Sequence, residues 1–207
     1  MTPTKLPLFP LGTVLFPGAL LPLQLFELRY LQMIGECERQ GTGFAVVTLT
    51  QGREVHRPGA SAEQFETLGT RVHIERIERP QAGLVMVWCR GVEKISIQNT
   101  RQRSDGLWTG QVHALPPEPA VQVPEDLQHL SVQMHEALTQ LSAQPSVVPH
   151  WAEAWRLQDC SWLSHRWGEL LPLPLQMKYR LFALQEPLMR LELIGDMVPP
   201  SAPPAQR

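Results

Sequence analysis

Two pairs of side chains in this sequence are of the types that perform catalysis or bind metals. Cys160 and His165 are a thiol and an imidazole five residues apart on a predicted helix, a rotation of roughly 500° that turns them away from each other. His129 and His135 are six residues apart, which matches neither the i,i+3 nor the i,i+4 spacing of helical metal ligands. We therefore predict no catalytic residue, no cofactor site and no metal site.

An acid and a base also lie close together at Glu27 and Arg29. Both stand at the start of a predicted helix, where the helix dipole favours a carboxylate. Side chains two residues apart on a helix diverge, so we expect Arg29 to pair with another carboxylate. We assign both residues a structural role, with ligand contact as the alternative.

The composition limits the class of protein. The chain has 207 residues, of which 43% are apolar and 18% charged, enough for one compact unit or two small ones. Eighteen lysines and arginines against 20 acidic residues give a formal charge of −2, so no sequence-wide positive field attracts a phosphate backbone. Three widely separated cysteines without a CxxC motif favour a reducing, cytoplasmic location.

Residues 6–26 carry no charge and are long enough to span a bilayer. Prolines interrupt this stretch at four positions, and each removes a helix donor. We therefore predict short buried strands and turns here, neither a membrane helix nor a signal peptide, and no membrane partner.

The first 115 residues carry mostly strand patterns. Short apolar runs predict strands at Leu6–Phe9, Thr13–Phe16 and Leu20–Leu25, and Phe44–Leu49 predicts an interior strand. A spacing near 3.6 predicts one helix over Glu27–Arg39 that ends near Gly41.

The later strands of this half have distinct patterns. Thr50–Gln64 is polar and predicts a long exposed loop. The alternation in Thr70–Arg79 slips, which predicts a β-bulge near Glu75 and Arg76. Leu84–Cys89 is apolar on both faces, so we expect this strand to be covered on both sides. Asp105, followed by glycine, predicts a hairpin turn.

A second half with helical patterns follows four prolines within residues 116–124. Leucines and a methionine at spacings of three and four predict a helix over Glu125–Ser142. Asp159 is predicted to cap the next helix, and Pro174 and Pro187 to begin two more.

Three stretches carry recognisable motifs. LPLFPLGTVLFPGALLPLQLFELRY ends in an F-E-x-R-Y element, LGTRVHIERI and WCRGVEKISI contain G-T and R-G pairs, and DCSWLSHRWGELLPLPLQMKYRLFALQEPLMRLELI contains E-L-L-P-L before a leucine-rich helix. Together they extend over residues 5 to 195 and resemble the N-terminal substrate-binding domain of Lon-type ATP-dependent proteases. The matching motif residues, to which we assign structural roles, are Phe26, Glu27, Arg29, Tyr30, Gly69, Thr70, Arg90 and Gly91.

The resemblance implies a fold and a role. It implies an α+β protein with a β-rich, PUA-like pseudo-barrel and one early helix, followed by a helical bundle. It also implies that the protein holds protein segments and does not cut them. From this implied fold and the sequence patterns, we divide the chain into four segments. They are a pseudo-barrel domain (1–117), a Pro-rich linker (118–123), a helical domain (124–196) and a disordered tail (197–207).

The sequence differs from the family pattern in some places. Leu28 stands where many relatives have proline, and Lys94 stands where arginine is common. The 207 residues contain no G-x-x-x-x-G-K-[ST] loop for phosphate, and no residue matches the Ser-Lys site of the Lon peptidase. We therefore expect no enzyme, and a label of the Lon peptidase family (S16) would describe ancestry.

A group of tryptophans that is not part of the family pattern has two open interpretations. The side chains fill the helical core, or they form an exposed aromatic patch whose rim carries arginines. The candidate partner-binding residues are Trp151, Trp155, Arg156, Trp162 and Arg166.

These observations predict a non-catalytic module that binds a protein or unfolded peptide segment. An extended peptide can bind by adding to an open sheet edge as a further strand. The alternative is an RNA-binding PUA-like protein, and an unrecognised hydrolase is a third hypothesis. Nucleic-acid binding is disfavoured because Glu75, Glu78 and Glu93 are interleaved with the basic residues. The arginines that would form a local basic patch are Arg71, Arg76, Arg79, Arg90, Arg101 and Arg103.

Overall fold

The computed structural model of the protein describes residues 4–54, 63–142 and 155–200. The chain divides into two compact units, Met1–Pro117 and Glu118–Arg207. Within the described residues, the first unit contains six strands and one helix, and the second contains four α-helices after a short 3₁₀ turn at Glu125–Leu127. The protein is therefore of the mixed α+β class.

The six strands of the first unit form one sheet. They are β1 (Thr4–Leu11), β2 (Leu20–Leu25), β3 (Phe44–Gln51), β4 (Gln64–Gln81), β5 (Leu84–Gln102) and β6 (Trp108–Ala114). Their order is β2-β5-β4-β3-β1-β6, and β5 also pairs with β6. This additional pairing closes five of the strands into a ring and leaves β2 outside it.

The length of β5 makes the closure possible. Its first part pairs with β2, from Val85 to Arg90, and its last part pairs with β6, from Ile95 to Gln102. Gly91 lies between the two parts, and a Cβ atom there would lie only 2.7 Å from the carbonyl oxygen of Phe16. Glycine in a strand marks such close approaches of backbone.

The helix α1 (Leu28–Gln40) in the described part of this unit confirms the predicted helix. Its apolar stripe of Met33, Ile34 and Cys37 is buried, because residues three and four apart share one helix face. Gly41 ends it with φ 63°, and its N–H bonds to carbonyl oxygens of the last turn, as glycine permits in the left-handed region.

Two apolar cores stabilise the first unit. The larger core joins α1 to the ring and to the inward side of β2, and its centre includes Phe44, Met33 and Val87. The smaller core lies between β1, β3, β5 and β6 and includes Leu8, Val47 and Ile95. The inward leucines of β2 thereby hold this outer strand in place.

The second unit contains α2 (Gln128–Ser142), α3 (Cys160–Leu170), α4 (Leu175–Ala183) and α5 (Pro187–Met197). The predicted stripe on α2 is buried at Leu130, Met134 and Leu138. Asp159 caps α3 as predicted, since its carboxylate accepts the N–H of Ser161 at 2.9 Å. The core of this unit also contains Trp162 and Trp167.

Three local predictions have different outcomes. The bulge near Glu75 and Arg76 is confirmed, because the β4–β5 register shifts between Ile74 and Arg76. Thr13–Phe16 is not a strand but a connection. Leu84–Cys89 is covered on one side only, because Trp88 and Met86 are half-buried; β2 extends the sheet at this strand's edge and does not cover its outer face.

The segments predicted as loop, linker and tail are placed as follows. Glu63, the first described residue after 55–62, is buried, so the polar stretch is not exposed throughout. In the predicted linker 118–123, Val123 is buried in the helical core and Gln122 bridges to Asp159. Met197 belongs to α5, and residues 201–207 of the tail lie outside the described residues. No helix in the described ranges is both long and apolar enough to cross a membrane.

Candidate functional site

Arg29, from the F-E-x-R-Y element, is the centre of a buried ionic cluster. Its Nη2 donates to Oε1 of Glu63 at 3.0 Å, and its Nε donates to Oε2 of Glu27 at 3.1 Å. Its Nη1 donates to the carbonyl oxygen of Gly106 at 3.1 Å. Trp108 Nε1 donates to Oε2 of Glu63 at 2.7 Å. The expected pairing of Arg29 with another carboxylate is therefore present.

Glu27 also pairs with Arg29, which corrects the expectation that the two side chains diverge. Glu27 precedes α1 with extended backbone angles, φ −74° and ψ 133°, so it does not follow the helical spacing. Its side chain can therefore reach back to Arg29. The cluster connects the start of α1 to the β5–β6 turn.

Three of the remaining motif residues form hydrogen bonds with the connection between β1 and β2. Thr70 donates its hydroxyl to the carbonyl oxygen of Leu15 at 2.5 Å, and Arg90 Nη1 donates to the carbonyl oxygen of Gly18 at 3.0 Å. Gly91 donates its N–H to the carbonyl oxygen of Ala19 at 2.9 Å. Gly69 and Tyr30 are packing positions: a Cβ at Gly69 would lie 2.4 Å from the carbonyl oxygen of Val46, and the Tyr30 ring lies 4.2 Å from that of Phe9.

A second buried ionic cluster lies in the helical unit. The Glu118 carboxylate accepts hydrogen bonds from Arg190 and, at 2.6 Å, from the Ser161 hydroxyl. Nε2 of His165 lies 3.4 Å from Oε1 of Glu118. Burial alone raises the pKa of a carboxyl, but hydrogen bonds and charge from His165 and Arg190 hold the pKa of Glu118 well below its usual range. His165 thus faces Glu118, a carboxylate, and the structure does not place it as a partner for Cys160.

The tryptophan group is mainly core. Trp162 and Arg166 are buried, and Arg166 pairs with Glu169 at 2.5 Å. Trp155 is half-buried, with its ring 5.4 Å from that of His135, and Arg156 is exposed beside Asp159 at 3.5 Å. This placement removes Trp162 and Arg166 from the candidate partner surface, because buried side chains contact no partner. Trp151 lies outside the described residues.

The arginines of the hypothetical basic patch are mostly paired with carboxylates. This pairing neutralises the local positive charge that RNA binding requires. Arg76 also lies over the Trp88 ring at 3.7 Å, an arrangement that holds the guanidinium in place. The pairs are Arg71–Glu93, Arg76–Glu78, Arg79–Glu38, Arg90–Glu75 and Arg103–Glu36.

Strand β2 presents an open edge. In the described part of the chain it pairs with β5 alone, so its other edge has backbone groups available to a further strand. Leu23 and Leu25 point into the core, whereas Pro22 and Gln24 are exposed. The alternation separates an inward apolar face from an outward face.

Two exposed apolar side chains follow β2 directly. Phe26 is 55% exposed and Leu28 is 68% exposed, although both follow a strand in which Leu23 and Leu25 are buried. Pro22 lies opposite Trp88 in the β2–β5 register, which adds an aromatic ring to the outward face. We call these residues, Pro22, Gln24, Phe26, Leu28 and Trp88, together with the open edge, the β2 surface.

A groove of about 200 Å³ adjoins the β2 surface. Its lining combines apolar side chains with the carboxylates of Glu27 and Glu54. Pockets that enclose small molecules have volumes of about 300 Å³ or more, so this groove fits a single side chain better than a small ligand. Its apolar and aromatic lining residues are Phe9, Leu11, Pro22, Leu23, Leu25, Phe26 and Tyr30.

Two further depressions of about 340 and 360 Å³ lie near the turn after α1. Both contain Gly41, Thr42 and His73, and charged residues on their walls belong to ion pairs such as Arg71–Glu93. Within the described ranges, no group of three or more His, Cys, Asp or Glu residues could hold a metal ion. The β2 surface differs from these depressions because it combines an open strand edge with exposed apolar side chains, which makes it the candidate site for an extended peptide.

A family model described as the substrate-binding domain of the ATP-dependent protease La (LON) matches residues 5–199. The chain belongs to the Lon substrate-binding domain family. A Lon N-terminal domain protein from Xanthomonas campestris has a similar structure, with a TM-score of 0.72 and 28% identity, covering 95% of this chain and 99% of that one.

The N-terminal domain of the Lon protease of the Mycobacterium avium complex shares the Lon-domain fold at a greater distance. Its TM-score is 0.60 at 17% identity, covering 93% of this chain and 97% of that one. No curated protein matches the sequence.

Sequence reasoning assigns Phe26 a structural role and notes Leu28 only as a departure from the Lon pattern, so it does not identify their exposure. The sequence does contain a pattern that predicts the exposure of Phe26. The leucines at 21, 23 and 25 alternate with Leu20, Pro22 and Gln24, and the same period of two carries position 26 to the outward face.

Proposed function

We propose that the protein binds an extended, apolar protein segment along the β2 surface without cutting it. The open edge of β2 carries this proposal, because an extended peptide can add to such an edge through main-chain hydrogen bonds. Membership of the Lon substrate-binding domain family supports protein segments as the ligand class.

Side-chain recognition would come from the groove and the exposed aromatic ring. An apolar side chain of the bound segment enters the groove of about 200 Å³, and neighbouring residues contact Phe26 and Leu28. Aromatic side chains at the centre of an interface contribute a large share of binding energy. Pro22 has no N–H, which suits an edge strand and limits unregulated pairing of the edge with other chains.

The proposal includes the finer features expected from the family. We infer a PUA-like barrel in the first unit, a helical bundle in the second, a non-catalytic role and a cytoplasmic location. Among the described residues, the His165 imidazole lies against the Glu118 carboxylate and is not directed at the Cys160 thiol. This arrangement supports a binding role. The paired arginines do not favour RNA as the ligand.

Labelled peptides from unfolded casein provide the test, with fluorescence anisotropy as the measurement. We expect apolar peptides to bind, and Phe26→Asp with Leu28→Asp to weaken binding by about tenfold or more. The matched control is Val132→Asp, since Val132 is an equally exposed apolar residue of the second unit. Equal binding by both variants, or no retention of any peptide, contradicts the proposal.

Peptide backbone methylation tests strand addition itself. In a β-ladder, only alternate residues direct their N–H groups at the neighbouring strand. One peptide is N-methylated at its odd positions and a second at its even positions. The peptide whose methyl groups replace the N–H groups that face β2 should lose binding, and the other peptide should keep it. Equal loss of binding by both peptides would contradict pairing with β2.

A further inference from the structure

The helix α5 carries an exposed apolar stripe in the second unit, away from the β2 surface in sequence. Met189 is 50% exposed, Leu193 is 44% exposed and Met197 is 37% exposed. These residues are spaced by four, so they lie in one row along the helix. Methionine side chains adapt their shape to different partners, and contiguous exposed apolar side chains mark interaction surfaces.

The opposite side of α5 is fixed in the core. Leu191 and Ile194 are fully buried, and Arg190 is held by Glu118, by the Ser164 hydroxyl at 3.0 Å and by the carbonyl oxygen of Leu181 at 3.0 Å. The row of Met189, Leu193 and Met197 is therefore presented by a rigid helix. A preorganised surface loses little conformational entropy on binding.

Acidic side chains flank this row. Glu192 is three residues after Met189, and Asp196 is three residues after Leu193, so each is a neighbour of an apolar residue on the helix surface. Both acidic residues are exposed. The second unit as a whole is also negatively charged, because residues 118–207 contain 10 acidic and six basic residues.

We propose that this face of α5 docks a basic amphipathic helix of a partner protein. The apolar side of such a helix covers Met189, Leu193 and Met197, and its lysines or arginines face Glu192 and Asp196. Recognition of an amphipathic helix combines apolar anchors at helical spacing with charge complementarity. The site is distinct from the β2 surface and takes a different class of segment.

The charges on this face disfavour the other occupants. A second copy of the chain would bring Glu192 and Asp196 against the same acidic residues if the contact were symmetric. An anionic lipid surface would be repelled by the same carboxylates. A basic protein segment is the occupant that matches both the apolar row and its acidic flank.

Two synthetic helical peptides of about 18 residues test the proposal on the protein of 207 residues. They share one apolar face, and their polar faces carry lysine or glutamate. We expect the lysine peptide to bind in titration calorimetry and the glutamate peptide to bind at least about tenfold more weakly. Leu193→Asp should weaken lysine-peptide binding by about tenfold, and Glu192→Lys with Asp196→Lys should weaken it and reduce its salt dependence.

The matched control is Met177→Asp on α4, since Met177 is 39% exposed; this variant should bind the lysine peptide like the wild type. Far-ultraviolet circular dichroism checks that each variant is folded. Equal binding of both peptides contradicts the proposed charge recognition, and equal effects of Leu193→Asp and Met177→Asp contradict the site. A dimer in sedimentation equilibrium that Leu193→Asp dissociates would assign the surface to a second copy and overturn the proposal.

Discussion

Arg190 forms a two-pronged contact with Glu118, in which Nη1 lies 3.1 Å from Oε2 and Nη2 donates to Oε1. The two residues are 72 positions apart in the sequence; the Arg190 side chain is fully buried and that of Glu118 is 9% exposed. The contact joins the last helix to the first residue of the second unit. It fixes the point at which the chain enters that unit.

Glu118→Gln should strongly destabilise the protein. The substitution leaves the buried guanidinium of Arg190 without its counter-charge, and breaking a buried ion pair on one side costs about 3–5 kcal/mol. Urea unfolding followed by circular dichroism measures the change in the free energy of unfolding. Arg156→Ala is the control, because its exposed pair with Asp159 should contribute less than about 1 kcal/mol. Equal losses for the two variants would contradict a special role for the buried pair.

The contribution of Glu118 to stability should depend on pH. Its pKa is lowered in the folded protein from its ordinary value of 4.5, so the unfolded state binds the proton more tightly. The stabilisation is therefore fully present above pH 4.5 and is lost as the pH falls through the folded-state pKa. The difference in unfolding free energy between wild type and Glu118→Gln should shrink below about pH 4.5. A difference that stays constant down to pH 3 would refute this assignment.

Two glycine substitutions should have opposite effects. A Cβ at Gly91 meets the carbonyl oxygen of Phe16 at 2.7 Å, so Gly91→Ala should destabilise by about 1–3 kcal/mol. Gly35 lies inside α1 with no atom within 4 Å of its added Cβ, so Gly35→Ala should stabilise by about 0.5–1 kcal/mol. Thermal unfolding measures both changes, and a Gly91→Ala variant that is as stable as the wild type or more stable would contradict the close approach at Gly91.

The three thiols should be unreactive in the native protein. Cys37, Cys89 and Cys160 are free and buried, and burial, which favours the neutral thiol, raises the pKa of Cys89 to about 12. A dithiobis-nitrobenzoate assay at pH 8 should therefore detect almost no thiol before denaturant is added, and all three afterwards. Rapid reaction of one thiol in the native state would indicate an opening that the structure does not contain.

Local patterns in the sequence determine several elements of the fold. The helical period at Leu31 and Ile34 predicts α1, the stripe through Leu130 and Met134 predicts α2, and Asp159 marks the start of α3. These features depend on residues within one or two turns of one another, so a linear sequence contains the information. The family motif is also local, and it leads to the Lon substrate-binding domain family.

Tertiary structure alone decides which of these residues are available to a partner. Trp162 and Phe26 are both aromatic, yet Trp162 is buried and Phe26 is exposed, because the first is enclosed by other helices and the second follows an outer strand. Local sequence patterns are enough to predict the helices, the bulge in β4 and the family. The closure of the ring through β5, the Glu118–Arg190 contact and the open edge of β2 depend on pairings between distant segments, and composition and periodicity do not encode which distant segments meet.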